Sequence, residues 1–168
     1  MARSFDMSVE YQGSVEQVRS AFSDEQYWLA RLAEVGAGQS TLDSLEQATD
    51  GSVSIASTLV LPRDLLPAVA TQFLSGDMRI QRRESWDPMH DGRVAGTVDC
   101  AIAGAPATMR GTVSLTPEHT GARMDLRAEI AVRIPLVGGK LESFIGSQLT
   151  NLLVEEQRFT TTWLARGT

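Results

Sequence analysis

Apolar and polar residues alternate through most of this chain, and a helical spacing replaces the alternation near its end. The clearest alternation covers residues 122–134, where even positions are apolar and odd positions are mostly charged. From Gly139 to about Arg166, apolar residues instead recur three, four or seven positions apart. The pattern predicts a long strand followed by a long amphipathic helix.

Shorter alternating stretches, bounded by turn residues, predict six further strands. They are Phe5–Tyr11, Gln39–Ala48, Ser52–Leu61, Arg79–Trp86, Arg93–Ile102 and Ala107–Thr116. Two short helices are predicted between the first two strands, because capping-box patterns begin at Ser14 and Ser23 and Gly36 can end the second helix. A helical insert from about Pro67 to Leu74 follows the third strand.

This order of elements predicts the fold class. An antiparallel sheet has one apolar face to cover, and the C-terminal helix is the only predicted element long enough to cover it. We expect a single α+β domain over residues 1–168. In it, a curled antiparallel sheet of about seven strands wraps around the long helix.

Composition narrows the classes of partner. The net charge of −6 and the pI near 4.9 argue against a nucleic-acid partner. Cys100 is the only cysteine, which excludes an internal disulfide. We find no apolar run of signal-peptide or membrane-spanning length, so we expect a cytoplasmic protein with no integral membrane association. The sequence leaves the oligomeric state open.

Three short patches resemble a known family. They are Leu65-Leu66-Pro67 before the insert, Glu84-Ser85-Trp86 at the end of a strand, and residues 134–142 (IPLVGGKLE) at the start of the last helix. In this order they resemble an actinobacterial family of unknown function within the START-like, polyketide-cyclase-like superfamily, which includes the birch-pollen-allergen-like proteins. The resemblance implies a helix-grip fold. It also implies a cavity between sheet and helix that often holds an apolar small molecule or lipid. It supplies no catalytic motif and no cofactor.

Eleven residues are candidates for contacting such a ligand. They are Trp28, Phe73, Arg82, Glu84, Trp86, Met109, Met124, Phe144, Gln148, Leu152 and Glu156. The apolar members can equally fill a dry core. Gln148 lies within the apolar stripe of the last helix, where an amide needs a hydrogen-bond partner. Small residues such as Gly111 are expected to leave room for a pocket of several hundred Å³.

The charged candidates allow two interpretations each. The strand Arg79–Trp86 allows two registers, and we place the face of Ile80, Arg82, Glu84 and Trp86 inward because only that face has large apolar residues at both ends. In the structural interpretation, Arg82 and Glu84 pair with each other or lie on an edge strand that twists them into water. In the functional interpretation, Arg82 orients a ligand's carboxylate, hydroxyl or carbonyl group. Glu156 borders the apolar stripe of the helix. It is either a solvated flank or a residue at the cavity mouth, where desolvation would raise its pKa for acid–base chemistry.

No catalytic or metal-binding constellation is apparent. His90 and His119 both fall in predicted turns, and no spacing of histidine, cysteine and carboxylates is typical of a metal site. Three functions therefore compete. The first is a carrier or sensor of an apolar small molecule or lipid. The others are a cyclase- or dehydratase-like enzyme that uses a cavity carboxylate or tyrosine, and a protein-interaction module.

Overall fold

A computed structural model describes residues 2–35, 39–72, 74–119 and 121–166. The strands are β1 (Ala2–Tyr11), β2 (Thr41–Gln47), β3 (Val53–Leu61), β4 (Met78–Trp86), β5 (Val94–Ile102), β6 (Ala107–Glu118) and β7 (Gly121–Val132). The helices are α1 (Val15–Phe22), α2 (Glu25–Val35), α3 (Ala68–Thr71) and α4 (Gly138–Arg166). A 3₁₀ turn covers Arg63–Leu65.

The strands form one antiparallel sheet in the order β1-β7-β6-β5-β4-β3-β2. The sheet curls around α4, which is 29 residues long. The predicted α+β helix-grip architecture is confirmed. In β7, Ala122 and every second residue after it are buried, as the alternation predicted.

Several predicted boundaries were wrong by a few residues. The helical insert is shorter than Pro67–Leu74, since only residues 68–71 are α-helical and Pro67 stands at the N-cap. The capping box at Ser14 is present, but α2 begins at Glu25, where the Asp24 carboxylate accepts a hydrogen bond from the backbone N–H of Gln26. The predicted stop at Gly36 lies outside the described residues.

Helix α4 lies closest to β1 and β7. The ring of Phe5 packs so tightly against Gly146 that a Cβ atom there would stand 2.3 Å from two ring carbons. At the start of the helix, the Glu142 carboxylate accepts a hydrogen bond of 2.9 Å from the backbone N–H of Val132. Arg3 also donates a hydrogen bond to Ser143. The first half of α4 is thereby fixed to one edge of the sheet, away from β3 and β4.

An aromatic cluster fills the space beneath the second half of α4. Tyr27 contacts Phe159 with ring centroids 5.7 Å apart and Trp163 at 5.8 Å. Phe22 lies 4.9 Å from Trp86. Because these rings come from α1, α2, β4 and α4, they join both short helices to the sheet and to the long helix. Among the described helices, none combines the length and the apolar character that a membrane span needs.

Candidate functional site

A cavity of about 180 Å³ lies between α4 and the strands β3 to β7. Its walls are mainly aliphatic and thioether side chains, including Ile80, Ile102 and Met78. The volume is smaller than the several hundred Å³ expected from the sequence. One reason is that Gly111 does not open any space, since a Cβ atom there would come within 3.1 Å of Leu126 and Val98.

Nine of the eleven predicted ligand contacts line this cavity. They are Arg82, Glu84, Trp86, Met109, Met124, Phe144, Gln148, Leu152 and Glu156. Their assignment as ligand contacts stays a prediction. Phe73 lies outside the described residues. Trp28 does not line the cavity, because its ring is buried in the aromatic cluster and its indole N–H donates to the Phe22 carbonyl at 2.9 Å.

Gln148 differs from its predicted environment. Its side chain is exposed, so it does not need the buried hydrogen-bond partner that the sequence suggested. It still borders the cavity, together with the half-buried Leu152. Because Gln148 borders the cavity and is also exposed to solvent, we place it at the cavity mouth.

The inward face of β4 carries the polar end of the cavity. Arg82, Glu84 and Trp86 all point to the cavity side, which confirms the predicted register. Trp86 pairs across the sheet with Gly96, where a Cβ atom would lie 3.0 Å from the indole ring. The glycine therefore gives the buried indole the room it needs at the base of the cavity.

Glu156 is held by two arginines from two other elements. Its carboxylate lies 2.6 Å from Arg31 Nη2 and 2.7 Å from Arg82 Nη1, and Arg82 Nη2 adds a longer bond of 3.3 Å. The three side chains are almost fully buried. Helices α2 and α4 are thus joined to β4 by charge-assisted hydrogen bonds.

Arg31 was missed in the sequence analysis. Its guanidinium stacks 4.4 Å from the Trp28 ring and donates to the Tyr27 hydroxyl at 3.2 Å. That hydroxyl lies 2.6 Å from Thr160 Oγ1. The sequence did indicate that Arg31 is buried, since it lies on the apolar face of α2 with Tyr27, Trp28 and Leu32. A charge in that position requires a buried partner of opposite sign.

Glu156 lines the cavity, as one of the two sequence-based interpretations expected, but the solvated flank and the raised pKa were both wrong. Burial alone would raise the pKa, but Arg31 and Arg82 outweigh it and lower the pKa of Glu156 to about 2. The carboxylate is therefore ionised at neutral pH, and both of its oxygens already accept hydrogen bonds.

Arg82 and Glu84 approach each other without forming a hydrogen bond. Arg82 Nε and Glu84 Oε2 are 3.3 Å apart, which is an ion-pair distance, yet the N–H does not point at the oxygen. Both atoms are buried without a hydrogen-bond partner, as is the indole N–H of Trp86. The inward face of β4 therefore carries three polar atoms without a hydrogen bond, and these atoms are covered from the cavity as well as from solvent.

The Cys100 thiol and the Tyr11 hydroxyl are protonated at neutral pH. Burial raises the pKa of the Cys100 thiol, which lines the cavity, to about 12. Burial also raises the pKa of Tyr11, whose hydroxyl points at the Met124 sulfur at 3.7 Å. The side chains of His90 and His119 are both highly exposed, at 91% and 88%.

Comparisons with known proteins identify a family that matches this chain and solved structures that share its fold. Residues 6–164 match the family described as "Protein of unknown function (DUF2505)". An uncharacterised protein of Mycobacterium tuberculosis strain H37Rv is 42% identical over 99% of each chain.

Two solved structures share the fold at low identity. A protein from Thermus thermophilus has a TM-score of 0.59 at 16% identity and covers 99% of both chains. Norcoclaurine synthase from Thalictrum flavum has a TM-score of 0.58 at 14% identity, over 98% of this chain and 87% of the synthase. At these identities the likeness shows the helix-grip fold alone.

Proposed function

The chain belongs to this DUF2505 family of unknown function, and from its cavity we propose that it binds an apolar small molecule or lipid as a non-catalytic carrier or sensor. The cytoplasmic location expected from the sequence is part of the same proposal.

The apolar cavity between the sheet and α4 carries this proposal. Apart from the polar end at Arg82, Glu84 and Glu156, its walls are almost entirely apolar. An apolar cavity of about 150 Å³ is known to take up a benzene-sized molecule, so about 180 Å³ suits one ring with a short substituent. A longer chain would have to leave through the mouth beside Gln148.

The polar groups at the cavity favour binding over catalysis. A general acid or base works best with a pKa near the operating pH. The pKa of Glu156 is far below that range and the pKa of Cys100 is far above it. Norcoclaurine synthase is an enzyme on a similar scaffold, but fold likeness alone does not transfer its activity to this chain.

Native mass spectrometry of freshly purified protein tests the proposal, with a cavity-filling variant for comparison. Ile80→Trp places an indole in the cavity from β4. Gln81→Trp adds the same side chain one residue later, on the exposed outer face, and is the matched control. We expect a small molecule to co-purify with the parent and with Gln81→Trp, and to be lost from Ile80→Trp.

Added ethylbenzene provides a second readout if the natural ligand is lost during purification. It should bind the parent and Gln81→Trp and fail to bind Ile80→Trp. If neither a co-purified molecule nor ethylbenzene binds the parent, the carrier proposal is wrong. Equal binding to both tryptophan variants would place the ligand outside the cavity and would also contradict it.

A further inference from the structure

We propose that one end of the molecule docks on the surface of an anionic lipid bilayer, through the exposed Leu65 and Leu136 and the basic residues around them. This is the end at which β3, β5 and β7 finish, and it carries the connections from these strands to β4, β6 and α4. The docking goes beyond the proposed function, since it does not depend on an occupied cavity.

Leu136 is the most exposed large apolar side chain among the described residues, at 102%. Its backbone is left-handed, with a φ of 73°, which a bulky residue rarely adopts. The turn is fixed, because the backbone N–H of Gly138 donates to the Ile134 carbonyl at 3.0 Å and a Cβ atom at Gly138 would stand 2.6 Å from the Val132 oxygen. A fixed turn that holds a leucine outward in a costly conformation points to a role for that side chain in contact with a partner.

Leu65 is the second most exposed of these apolar side chains, at 63%, and it lies at the same end of the molecule. It belongs to the 3₁₀ turn that follows β3. Its neighbour Leu66 packs in the same hydrophobic cluster as Val137, the neighbour of Leu136. Both exposed leucines therefore project from one packed apolar base.

The charge of this end is opposite in sign to the charge of the whole chain. The end comprises residues 2–3, 39–42, 60–72, 74–79, 101–108 and 131–140, which include the two outermost residues of each strand there. These residues carry a net charge of +3, and the rest of the chain carries −9, since the total is −6. Asp64 and Asp77 are outnumbered by five exposed basic residues. They are Arg3, Arg63, Arg79, Arg133 and Lys140.

An anionic bilayer matches both the leucines and the charge. A leucine that enters the interface leaves water, and each arginine or lysine near a negatively charged surface adds to the attraction. A nine-residue strand such as β4 spans about 30 Å. Most of the acidic remainder therefore lies farther from the bilayer than the Debye length of about 10 Å at 0.1 M salt, and its repulsion is screened.

The cavity reaches the same end of the molecule. Leu61, Met78 and Ala107 line it, and they are the last residue of β3 and the first residues of β4 and β6. Docking therefore brings the cavity close to the bilayer, as a source of its apolar ligand. This connection rests on the proposed function, whereas the docking does not.

Flotation of the full chain with phospholipid vesicles tests the docking. We expect the parent to bind vesicles that contain about 30% phosphatidylglycerol more than about tenfold more tightly than vesicles of phosphatidylcholine alone. Binding to the anionic vesicles should weaken as the salt concentration rises above about 0.1 M, because salt screens the charges.

Two double variants separate the leucines from the charges. Leu65→Gln with Leu136→Asn removes both apolar side chains, and asparagine tolerates the left-handed backbone at position 136. It should weaken binding to the anionic vesicles more than about tenfold. Arg133→Gln with Lys140→Gln should weaken it about tenfold or more and leave binding to the neutral vesicles unchanged.

Met89→Gln with Arg93→Gln is the matched control. It removes an exposed apolar residue and an exposed arginine from the connection between β4 and β5, at the opposite end of the sheet. We expect this variant to bind the anionic vesicles as the parent does. Circular dichroism melting checks that all three double variants are folded.

Lipids with brominated acyl chains identify the end that touches the bilayer, because bromine quenches tryptophan fluorescence at short range. Leu136→Trp places a reporter at the proposed contact, and Met89→Trp places one at the opposite end. We expect quenching of the added tryptophan in Leu136→Trp and none in Met89→Trp. The reverse order would overturn the proposed orientation.

The parent and the leucine variant decide the proposal. If the parent does not prefer anionic vesicles, or if Leu65→Gln with Leu136→Asn binds them as tightly as the parent, the docking surface is wrong. Uptake of ethylbenzene needs no bilayer, so it tests the cavity function separately. A parent that takes up ethylbenzene but does not bind vesicles would overturn the docking alone.

Discussion

The two halves of α4 cover the same sheet in different ways. Beneath the second half, the rings of Tyr27, Phe159 and Trp163 pack against one another and fill the space. Beneath the first half, Phe144 and Leu152 face a cavity of about 180 Å³ instead. The helix keeps the same long amphipathic character throughout, so the difference comes from what α1, α2 and the strands place opposite it.

The buried charge cluster lies at the boundary between these two halves. Glu156 sits between the cavity-lining Leu152 and the clustered Phe159, and it touches Arg31 on one side and Arg82 on the other. Arg31 belongs to the packed half, whereas Arg82 lines the cavity. The cluster is therefore the element that holds α4 in position where the aromatic packing ends.

Arg31→Met has the largest expected effect on this boundary. It leaves the Glu156 carboxylate buried with only Arg82 as a partner, and breaking a buried ion pair typically costs about 3–5 kcal/mol. Urea unfolding measures the change. Arg158→Met is the matched control, because Arg158 forms only an exposed pair with Glu155 and should lose less than about 1 kcal/mol. Equal losses in the two variants would contradict the role of the cluster.

Phenylalanine truncation compares the two halves directly. Phe159→Ala opens a hole in the packed half and should cost about 3–5 kcal/mol of unfolding free energy. Phe144→Ala removes a half-buried ring that already borders a cavity, so we expect about 1–2 kcal/mol. The same urea experiment checks both. If Phe144→Ala proved as costly as Phe159→Ala, the cavity half would be packed as tightly as the other half.

Lowering the pH should reduce the free energy of unfolding, because it protonates Glu156 and breaks its ion pairs with Arg31 and Arg82. The folded-state pKa of about 2 lies below the ordinary value of 4.5, so the group contributes stability that is present above pH 4.5 and is lost as the pH falls towards 2. The full contribution is on the order of 3 kcal/mol. Unfolding free energies of the parent and of Glu156→Gln, measured from pH 6 to pH 3, should converge as the pH falls. A constant difference would show that Glu156 does not titrate with a lowered pKa.

Gly146→Ala has the smallest expected effect and tests how α4 is held against β1. The new methyl group would meet the Phe5 ring, which must move, at a cost of about 1–3 kcal/mol that the better helix propensity of alanine partly offsets. We expect a net loss of about 1 kcal/mol. Gly139→Ala is the control, since its nearest neighbour would be Arg3 Nη2 at an ordinary 3.7 Å. A Gly146→Ala variant as stable as the control would rule out the close approach.

The strands and helices were easier to predict from the sequence than the contacts between them. The alternation in β7 and the stripe of α4 each depend on one continuous segment, so their buried faces could be read directly. The inward register of Arg82 and Glu84 followed in the same way from β4. The two partners of Glu156 could not be predicted in this way, because Arg31 and Arg82 are both far from it in the sequence.

The cavity itself was harder to predict, because a void depends on which side chains fail to meet. Trp28 and Phe144 are both large apolar residues on helices. Only the tertiary arrangement buries Trp28 under Arg31 and leaves Phe144 beside open space. Gly111 illustrates the same limit, since neighbouring side chains occupy the volume that its missing side chain leaves.

A methyl NMR titration with ethylbenzene tests the central claim, that the cavity half of α4 covers a ligand site, most directly. Met78, Met109 and Met124 line the cavity, whereas Met7 and Met89 do not. With methionine methyl groups labelled, we predict saturable shifts at Met78, Met109 and Met124 and none at Met7 or Met89. Shifts confined to the exposed Met89, or no saturable shift at the three cavity methionines, would contradict the claim.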